Sequence, residues 1–425
     1  MKIAIIGTGI SGLTVAHLLH KQHDITLYES EKYVGGHVNT VDLYAENKPV
    51  SIDTGFIVFN NWTYPNFEKL LLDLDVDTHN SEMSFSAKCE ATEFEWSGSG
   101  LKSLIFNRNN WKQWKAYQIF LDIVRFKKLS LKYLEQNEHN FTLGEFLKKY
   151  KFSSAFIKYY ILPMGAAIWS SNIEQIKLYP AKSFLAFFRN HGLLNLKQRP
   201  QWKTISGGSN QYVRALIQPF EHKIRLNTPV TNIKRIAGRV EVFSKHGAAE
   251  YFDHVFLACH SDQALSLLEQ PSPIESTTLG NIKFQENIAV LHTDQSVMPN
   301  RKSAWSSWNY FIPEEHNSRV NVTYYMNRLQ NLDCKQDYFV TLNPDHEIDL
   351  SKVLKTIHYM HPVFDYPAIK AQHKFTEING HNNTWFCGAY WRNGFHEDGN
   401  WSALESVNLF NKYLENEQLH LQRAS

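Results

Sequence analysis

Cysteine is scarce. The chain has four, Cys89, Cys259, Cys334 and Cys387, among 425 residues, with no CxxC pair and no histidine at a repeating ligand-like spacing. That scarcity excludes a disulfide framework and a zinc site, so no metal is expected and a reducing compartment fits best. A surplus of charge is missing too. Lys and Arg total 44 against 42 Asp and Glu, a formal balance of +2, which removes any global electrostatic case for a nucleic-acid partner. No apolar run approaches the roughly 18 residues of a membrane span, and the first strand pattern starts at Lys2, leaving no room for a signal peptide. The expectation is a cytoplasmic protein. Low-complexity linkers and internal repeats are absent. Aromatic residues, in contrast, are plentiful. With 43% hydrophobic residues, including 27 Phe, 20 Tyr and 11 Trp, the chain has the apolar surface to offset its ordering entropy and to fill more than one core. Two domains, or one interleaved pair, are expected.

The first forty residues carry an ordered pattern. Lys2-Ile3-Ala4-Ile5-Ile6 is a continuous apolar run, as a strand buried on both faces of a parallel sheet requires. Gly7-Thr8-Gly9-Ile10-Ser11-Gly12 then fits GxGxxG, and Leu13 to His20 continues as a helix with Val15, Ala16, Leu18 and Leu19 as its buried stripe. Gly7 permits a tight turn, Gly9 lets backbone approach a pyrophosphate, and Gly12 lets helix and strand pack closely. The helix amino end offers unpaired N–H donors to phosphates, so Gly7, Gly9, Ser11 and Gly12 are the expected phosphate-side residues. A second strand, Asp24-Ile25-Thr26-Leu27-Tyr28, ends at Glu29, which is placed to accept from ribose hydroxyls. Strand, glycine turn, helix, strand and terminal acid in this order make a complete adenine-dinucleotide unit.

The next block narrows the dinucleotide. Gly35-Gly36-His37 is followed by Thr40 and then by Ile52-Asp53-Thr54-Gly55-Phe56. The succession GxGxxGL, Glu, GG and DTG resembles the flavin-containing amine oxidase superfamily. That resemblance implies an α/β chain: a Rossmann-type, glutathione-reductase-like FAD-binding domain interleaved with an α+β substrate domain. It puts Gly35 and Gly36 near the flavin side of FAD, with His37 standing where the family often has Arg. Two later blocks fit the same family. Trp202 to Ser209 leads into a helix, Tyr212 to Pro219, and a strand, Ile224 to Leu226, which arrives at Thr228-Pro229-Val230; Val230 matches the position whose backbone meets adenine in relatives. Val240 to Phe243 and Tyr251 to Ala258 read as further strands. Asn383 to Tyr390, with Gly388 at its end, reads as a buried strand, followed by Gly394-Phe395-His396-Glu397-Asp398-Gly399 and a final helix. The amino end of that helix should face the isoalloxazine and stabilise the negative charge of the reduced ring. Ala389 stands where the family commonly has an acid. No cysteine lies between Tyr390 and Gly399, and Cys387 sits in the strand, so the FAD is expected to be noncovalent. Residues 1–74, 200–264 and 380–425 are assigned to the FAD-binding domain, and 75–199 and 265–379 to the substrate domain.

Reactivity then belongs to FAD, with a hydride passing from a substrate C–H to flavin N5. His396, Phe395 and Glu397 are the catalytic candidates, and Asp398 and Gly399 join the cofactor contacts. The competing reading makes Asp398 or Asn400 a helix cap and His396 a structural donor. Phe395 occupies the tyrosine position of the family's Gly-Tyr-x-Glu segment, which favours a greasier substrate than an amine. Pro163 to Ser170 and Asn190 to Leu194 resemble a bacterial subgroup of these flavoproteins associated with cyclopropane-fatty-acid-synthase-like methyltransferases. This implies a fatty-acyl or lipid substrate and a lipid-modifying methyltransferase as partner. An amine oxidase releasing hydrogen peroxide and a flavin-binding partner without its own turnover are the rival readings. Trp169, Phe184, Phe187 and Phe188 either line an acyl tunnel or, as aromatic stripes more often do, fill plain core. A helix expected from Trp111 to Tyr133 sets Trp114, Tyr117, Leu121 and Val124 at helical spacing among Lys112, Lys115, Arg125, Lys127, Lys128 and Lys132. It makes peripheral contact with anionic headgroups or, in the preferred reading, buries its aromatics behind a solvated face. Ile288 to Leu291, Arg319 to Tyr325 and Tyr338 to Leu342 are antiparallel strand candidates.

Overall fold

Four of the five residues of Lys2–Ile6 are buried, and a strand covered on both faces has to lie inside a sheet. The computed structural model describes residues 1–98, 114–136, 141–195, 198–245, 247–314, 319–344 and 348–424. In it this strand is the third of five, in the order Ile224–Arg225, Asp24–Tyr28, Lys2–Ile6, His254–Leu257, Thr384–Phe386, all parallel. Three widely separated stretches of chain build one sheet. The Tyr251 to Ala258 run divides: Glu250–Phe252 pairs antiparallel with Arg239–Ser244, and only His254–Leu257 enters the parallel sheet.

Alternate residues of these strands feed opposite cores, as a period of two demands. Ile3, Ile5, Phe256 and Trp385 pack with Leu13, Ala403 and Phe410 on one face. Ala4, Ile6, Val255, Leu257 and Phe386 pack with Val242, Leu279 and Ile378 on the other. The helix Ile10–Leu19 lies on the first of these faces, and its buried stripe is Leu13, Val15, Ala16 and Leu19. Leu18, expected within that stripe, is exposed.

A third and larger core joins a seven-stranded sheet to a group of helices. The sheet order is Val353–Pro362, Phe284–His292, Phe339–Leu342, Val322–Tyr325, Trp308–Ile312, Phe85–Cys89, Phe94–Ser97. The downstream strands run antiparallel, as the pattern implied. Trp169, Phe184, Phe187 and Phe188 belong to this core. Val50 and Ile52 enter it as well, although they come from the amino-terminal segment. Trp202–Ile205 pairs with Thr78–Asn80 across the join expected near residue 74, so the two halves interlock.

One helix reverses the preferred reading of its faces. In Trp114–Leu134 the residues turned inward are Ala116, Ile119, Asp122, Phe126, Ser130 and Tyr133. Trp114, Tyr117, Leu121 and Val124 point outward, Trp114 with 70% and Leu121 with 55% of its surface exposed. Small Ala116 and Ser130 allow close packing on the inner face, and Asp122 is buried because its carboxylate accepts from the Ser153 N–H at 2.8 Å. The expected start at Trp111 lies outside the described residues.

One buried ion pair allows a quantitative test. The Arg235 guanidinium makes two hydrogen bonds, 2.5 and 3.0 Å, to the carboxylate of Glu275, and both side chains are almost wholly buried. Arg235→Met strands a buried carboxylate and is expected to cost about 3–5 kcal/mol. Urea unfolding should show Arg235→Met combined with Glu275→Leu recovering most of that loss.

Candidate active site

Ligands of parallel sheets bind beyond the carboxyl ends of the strands. Here Lys2–Ile6 ends at Gly7, His254–Leu257 at Ala258 and Thr384–Phe386 at Cys387-Gly388. Gly7 has φ +102°, and a Cβ on it would lie 2.9 Å from the Ala258 carbonyl oxygen. A Cβ on Gly12 would lie 2.0 Å from the Gly7 carbonyl oxygen. Gly9 is different. Nothing lies within 4 Å of its would-be Cβ, so space opens beside the first turn of Ile10–Leu19, whose N–H groups have no acceptor within the helix. The second glycine motif closes the other side: Gly36, at φ +60°, brings its would-be Cβ within 3.1 Å of the Gly9 Cα. Gly7, Gly9, Gly36, His37, Ala258, Cys259, His260, Ala389 and Phe395 all retain free surface around these strand ends. They outline a cleft.

At one end of it, Glu29 accepts from the Thr8 N–H at 2.9 Å, the Thr8 hydroxyl at 2.5 Å and the Glu31 N–H at 3.0 Å. Thr228 N–H donates to the Glu29 carbonyl at 2.8 Å, which lays the chain leading to Val230 alongside the acid. Thr8 was not singled out from the sequence, where it is only the variable position of GxG.

The final helix, His396–Ala424, presses its first turn against that of Ile10–Leu19. The Ser11 hydroxyl donates to the Gly399 carbonyl at 2.9 Å, and a Cβ on Gly399 would lie 2.7 Å from Ile10 Cγ2. Ser11 therefore has its backbone N–H, not its hydroxyl, to offer a phosphate. Gly388 donates its N–H to the Ser402 hydroxyl at 2.8 Å, tying the end of the last strand to the same helix. Two helix amino ends and two glycine turns form a cradle that fits an anionic dinucleotide without needing a cation.

The expected catalytic cluster does not share one direction. The His396 ring stacks on Phe56 at 3.8 Å between centroids, and its Nε2 lies 2.5 Å from the Tyr212 hydroxyl. Burial holds its pKa down to about 3, so it is neutral. Glu397 turns to the amino end of Pro65–Asp73, accepting from the Asn66 side chain at 2.6 Å and the Phe67 N–H at 2.9 Å. Both residues, expected as catalytic candidates, thus have their polar atoms engaged by Tyr212, Asn66 and Phe67, as the competing structural reading of His396 requires. Asp398 accepts from the N–H groups of Asn393 and Phe395 at 3.2 and 2.9 Å, capping the turn, and burial raises its pKa to about 7. That turn sets Phe395, which stacks on Phe187 at 5.2 Å; Phe187 in turn stacks on His191 at 3.7 Å.

A group of histidines gathers around His37. His37 stacks on Tyr359 at 4.9 Å and lies 5.3 Å from His361 and 6.5 Å from His260, centroid to centroid. Burial, and then neighbouring His260, holds His37 down to about 4, so the position where relatives often carry Arg holds a neutral ring. The tautomer of His361 is fixed from outside. The Asn343 side-chain oxygen accepts from the Ile288 N–H at 2.9 Å, so its amide nitrogen donates to Asn287 at 2.7 Å, and the Asn287 amide nitrogen donates to His361 Nδ1 at 2.9 Å. The proton of neutral His361 is therefore on Nε2. His260 was detectable in principle, because it follows the carboxyl end of a cofactor-sheet strand. His361 carried no such signal, whereas Phe187 stood out as a tunnel or core residue and His191 lies in the Asn190 to Leu194 block. Among the described residues no group of three or more His, Cys, Asp or Glu could hold a metal ion.

The model of the family described as flavin containing amine oxidoreductase matches residues 10–394. The chain belongs to this family. Solved structures agree on the fold. A CLA-producing fatty acid isomerase from P. acnes superposes with a TM-score of 0.67 at 16% identity, over 96% of this chain and 98% of that one. A putative protoporphyrinogen oxidase from Exiguobacterium sp. 255-15 gives 0.69 at 16% identity, over 97% and 99%. Cyclohexylamine oxidase from Brevibacterium oxydans IH-35A gives 0.69 at 12% identity, also over 97% and 99%. Among curated proteins, the zeta-carotene desaturase of Zea mays is 32% identical over 80 residues, 19% of this chain and 13% of the desaturase. The protein is a flavin-dependent oxidoreductase with an amine-oxidase-like fold.

Gly9→Ala is expected to fold with an unchanged melting temperature as apoprotein while retaining at least about tenfold less flavin, because the methyl occupies only the cleft. Gly12→Ala should not fold at all. Acidification gives a second test. Burial lowers the pKa of His37, His191, His254, His260 and His292 to about 4 and of His361 and His396 to about 3. When unfolded, these residues protonate near pH 6.5, so below it the unfolded state binds more protons and stability falls as pH falls toward 4. Asp53 and Asp398, raised to about 6 and about 7, oppose this because the folded state takes up their protons first. The histidines outnumber them, and the urea midpoint is expected to decline steadily from pH 7 to pH 5.

Proposed function

We propose that the chain binds FAD noncovalently and dehydrogenates a hydrophobic substrate, a fatty-acyl or lipid chain. The observation that carries this reading is the half-buried Phe395 ring, stacked on buried Phe187, which stacks in turn on buried His191, with no counter-charge turned toward them. Burial lowers the His191 pKa to about 4, so the ring is neutral. Glu397 and Asp398, the acids next to Phe395 in sequence, are both turned to backbone donors. An acyl chain gains about 25 cal/mol for each Å² it buries on such rings, whereas an ammonium group would meet the ring faces with no carboxylate beside them. When bound, FAD supplies the acceptor for a hydride leaving a substrate C–H. The glycine turns and the amino ends of the helices at Ile10 and His396 would hold its charged and polar parts, and the aromatic wall would exclude water and orient the chain. Noncovalent binding is supported by the thiols: burial raises Cys259 to about 12 and Cys387 beyond it, so neither presents a thiolate.

Two similar proteins are named for apolar substrates, the fatty acid isomerase and the zeta-carotene desaturase. The amine oxidases that share the fold favour a second reading, oxidation of an amine with release of hydrogen peroxide. The lipid reading also suggests a lipid-modifying methyltransferase as partner, resting on the resemblance carried by Pro163 to Ser170.

Anaerobic addition of unsaturated fatty acids or phospholipids to the yellow protein is expected to bleach its visible flavin absorbance, and Phe395→Ala should raise the half-saturating concentration about tenfold or more. Peroxide release with simple amines, and no bleaching by lipid, would overturn the proposal in favour of the second reading. Bleaching by neither, with activity seen only in a partner's assay, would indicate a non-catalytic flavin protein.

A further inference from the structure

The outward stripe of Trp114–Leu134 consists of Trp114, Tyr117, Leu121, Val124 and Leu131, all exposed. At 1.5 Å per residue it runs about 25 Å along the helix. Single exposed apolar residues are ordinary, but five along one helix face, with Lys128 set between Val124 and Leu131, mark an interaction surface. Its charge is one-sided. The helix carries Lys115, Arg125, Lys127, Lys128 and Lys132 against one acid, Asp122, or five minus one, +4, within a chain whose total is +2. Asp122 is buried and paired with Arg125, so the net charge of the helix rests on Lys115, Lys127, Lys128 and Lys132. The surface continues past the helix. The Arg125 guanidinium lies over the Phe152 ring at 5.2 Å, and Phe152 is part of the lining of a groove of about 380 Å³ shared with Leu147, Ile157, Leu162, Lys148 and Lys151.

We propose that this face docks on a bilayer surface rich in anionic lipids, the helix lying in the headgroup plane with Trp114, Leu121 and Leu131 inserted and Lys127, Lys128 and Lys132 against phosphate groups. Apolar insertion and cationic attraction together are what hold an interfacial helix. A second copy of the chain is the poorer occupant, because pairing the two stripes would bring two +4 faces together. No helix of the described residues is long and apolar enough to cross a membrane, which is consistent with surface contact alone. The inference stands apart from the proposed substrate class.

The test is co-sedimentation of the flavin-loaded protein with vesicles of phosphatidylglycerol and phosphatidylcholine, compared with vesicles of phosphatidylcholine alone, at low and high salt. Binding is expected to be at least tenfold tighter to the anionic vesicles and to be lost as salt rises. Leu121→Glu and the pair Lys127→Glu/Lys128→Glu should each weaken it tenfold or more, with flavin content and melting temperature unchanged. Absence of binding to anionic vesicles, or equal binding by these variants, would overturn the proposal. A concentration-dependent dimer that Leu121→Glu dissociates would assign the face to a second copy instead.

Discussion

The site depends on one close approach of backbone to backbone. The Gly7 carbonyl oxygen occupies the place where any side chain on residue 12 would be, and this lets the Ile10–Leu19 helix lean over the edge where the parallel strands end. A second glycine, Gly399, makes room for the side chains of Ile10 and Ser11. Two helix amino ends converge there, each contributing unpaired N–H groups and the positive end of its dipole. An anion can be held by backbone alone in such a place. That explains how a neutral His37 is tolerated where relatives often carry a cation.

Backbone demands were legible in the sequence because glycine is the only residue that meets them. Gly7 and Gly12 were assigned by that logic and Gly9 by the approach of a ligand, whereas Gly35 and Gly36 came from the family resemblance; Gly7, Gly12, Gly35 and Gly36 all stand where a Cβ would crowd backbone. Side-chain direction was not legible. His396, Glu397 and Asp398 are consecutive in a helical first turn, where neighbours diverge by about 100°. Three adjacent polar residues cannot face one point, and these serve Tyr212, the Pro65–Asp73 helix and the Phe395 turn respectively. The Trp114–Leu134 helix shows the same limit. It carries two stripes at helical spacing, one greasy and one built from Ala116, Asp122, Ser130 and larger residues, and spacing does not say which one turns inward. Burial of Asp122 against the Ser153 N–H decided it, a long-range contact with no local signature.

The domain division was blurred for a related reason. Asp53 is fully buried and accepts from Thr40, Ser209 and Gln330, thereby joining a hairpin near the cofactor cleft to the helix after Ser209 and to the far half of the chain. Ile52, its neighbour, packs in the large core instead. Glu397 works alike between the last helix and the second. Removing one partner from such a buried, multiply bonded carboxylate strands the others, so these contacts hold the aromatic wall and the cradle in a fixed relation. A boundary drawn from family-like sequence blocks cannot follow a connection made by single buried side chains.

The histidine side of the cleft suits the proposed chemistry because its rings are neutral. Two imidazolium groups 5.3 Å apart, the separation of His37 and His361, would repel by about 3 kcal/mol at an effective dielectric of 20, and burial adds to that penalty. Both rings therefore stay uncharged, and the Asn343–Asn287 pair leaves His361 with a donor at Nε2 and no spare acceptor. A neutral donor can stabilise charge that develops during hydride transfer without drawing water or a counter-ion into the site beforehand. A permanent cation there would also attract the carboxylate of a free fatty acid toward the cofactor. Neutral rings leave the aromatic wall to position an apolar chain by contact alone, which is the discrimination the proposed substrate requires.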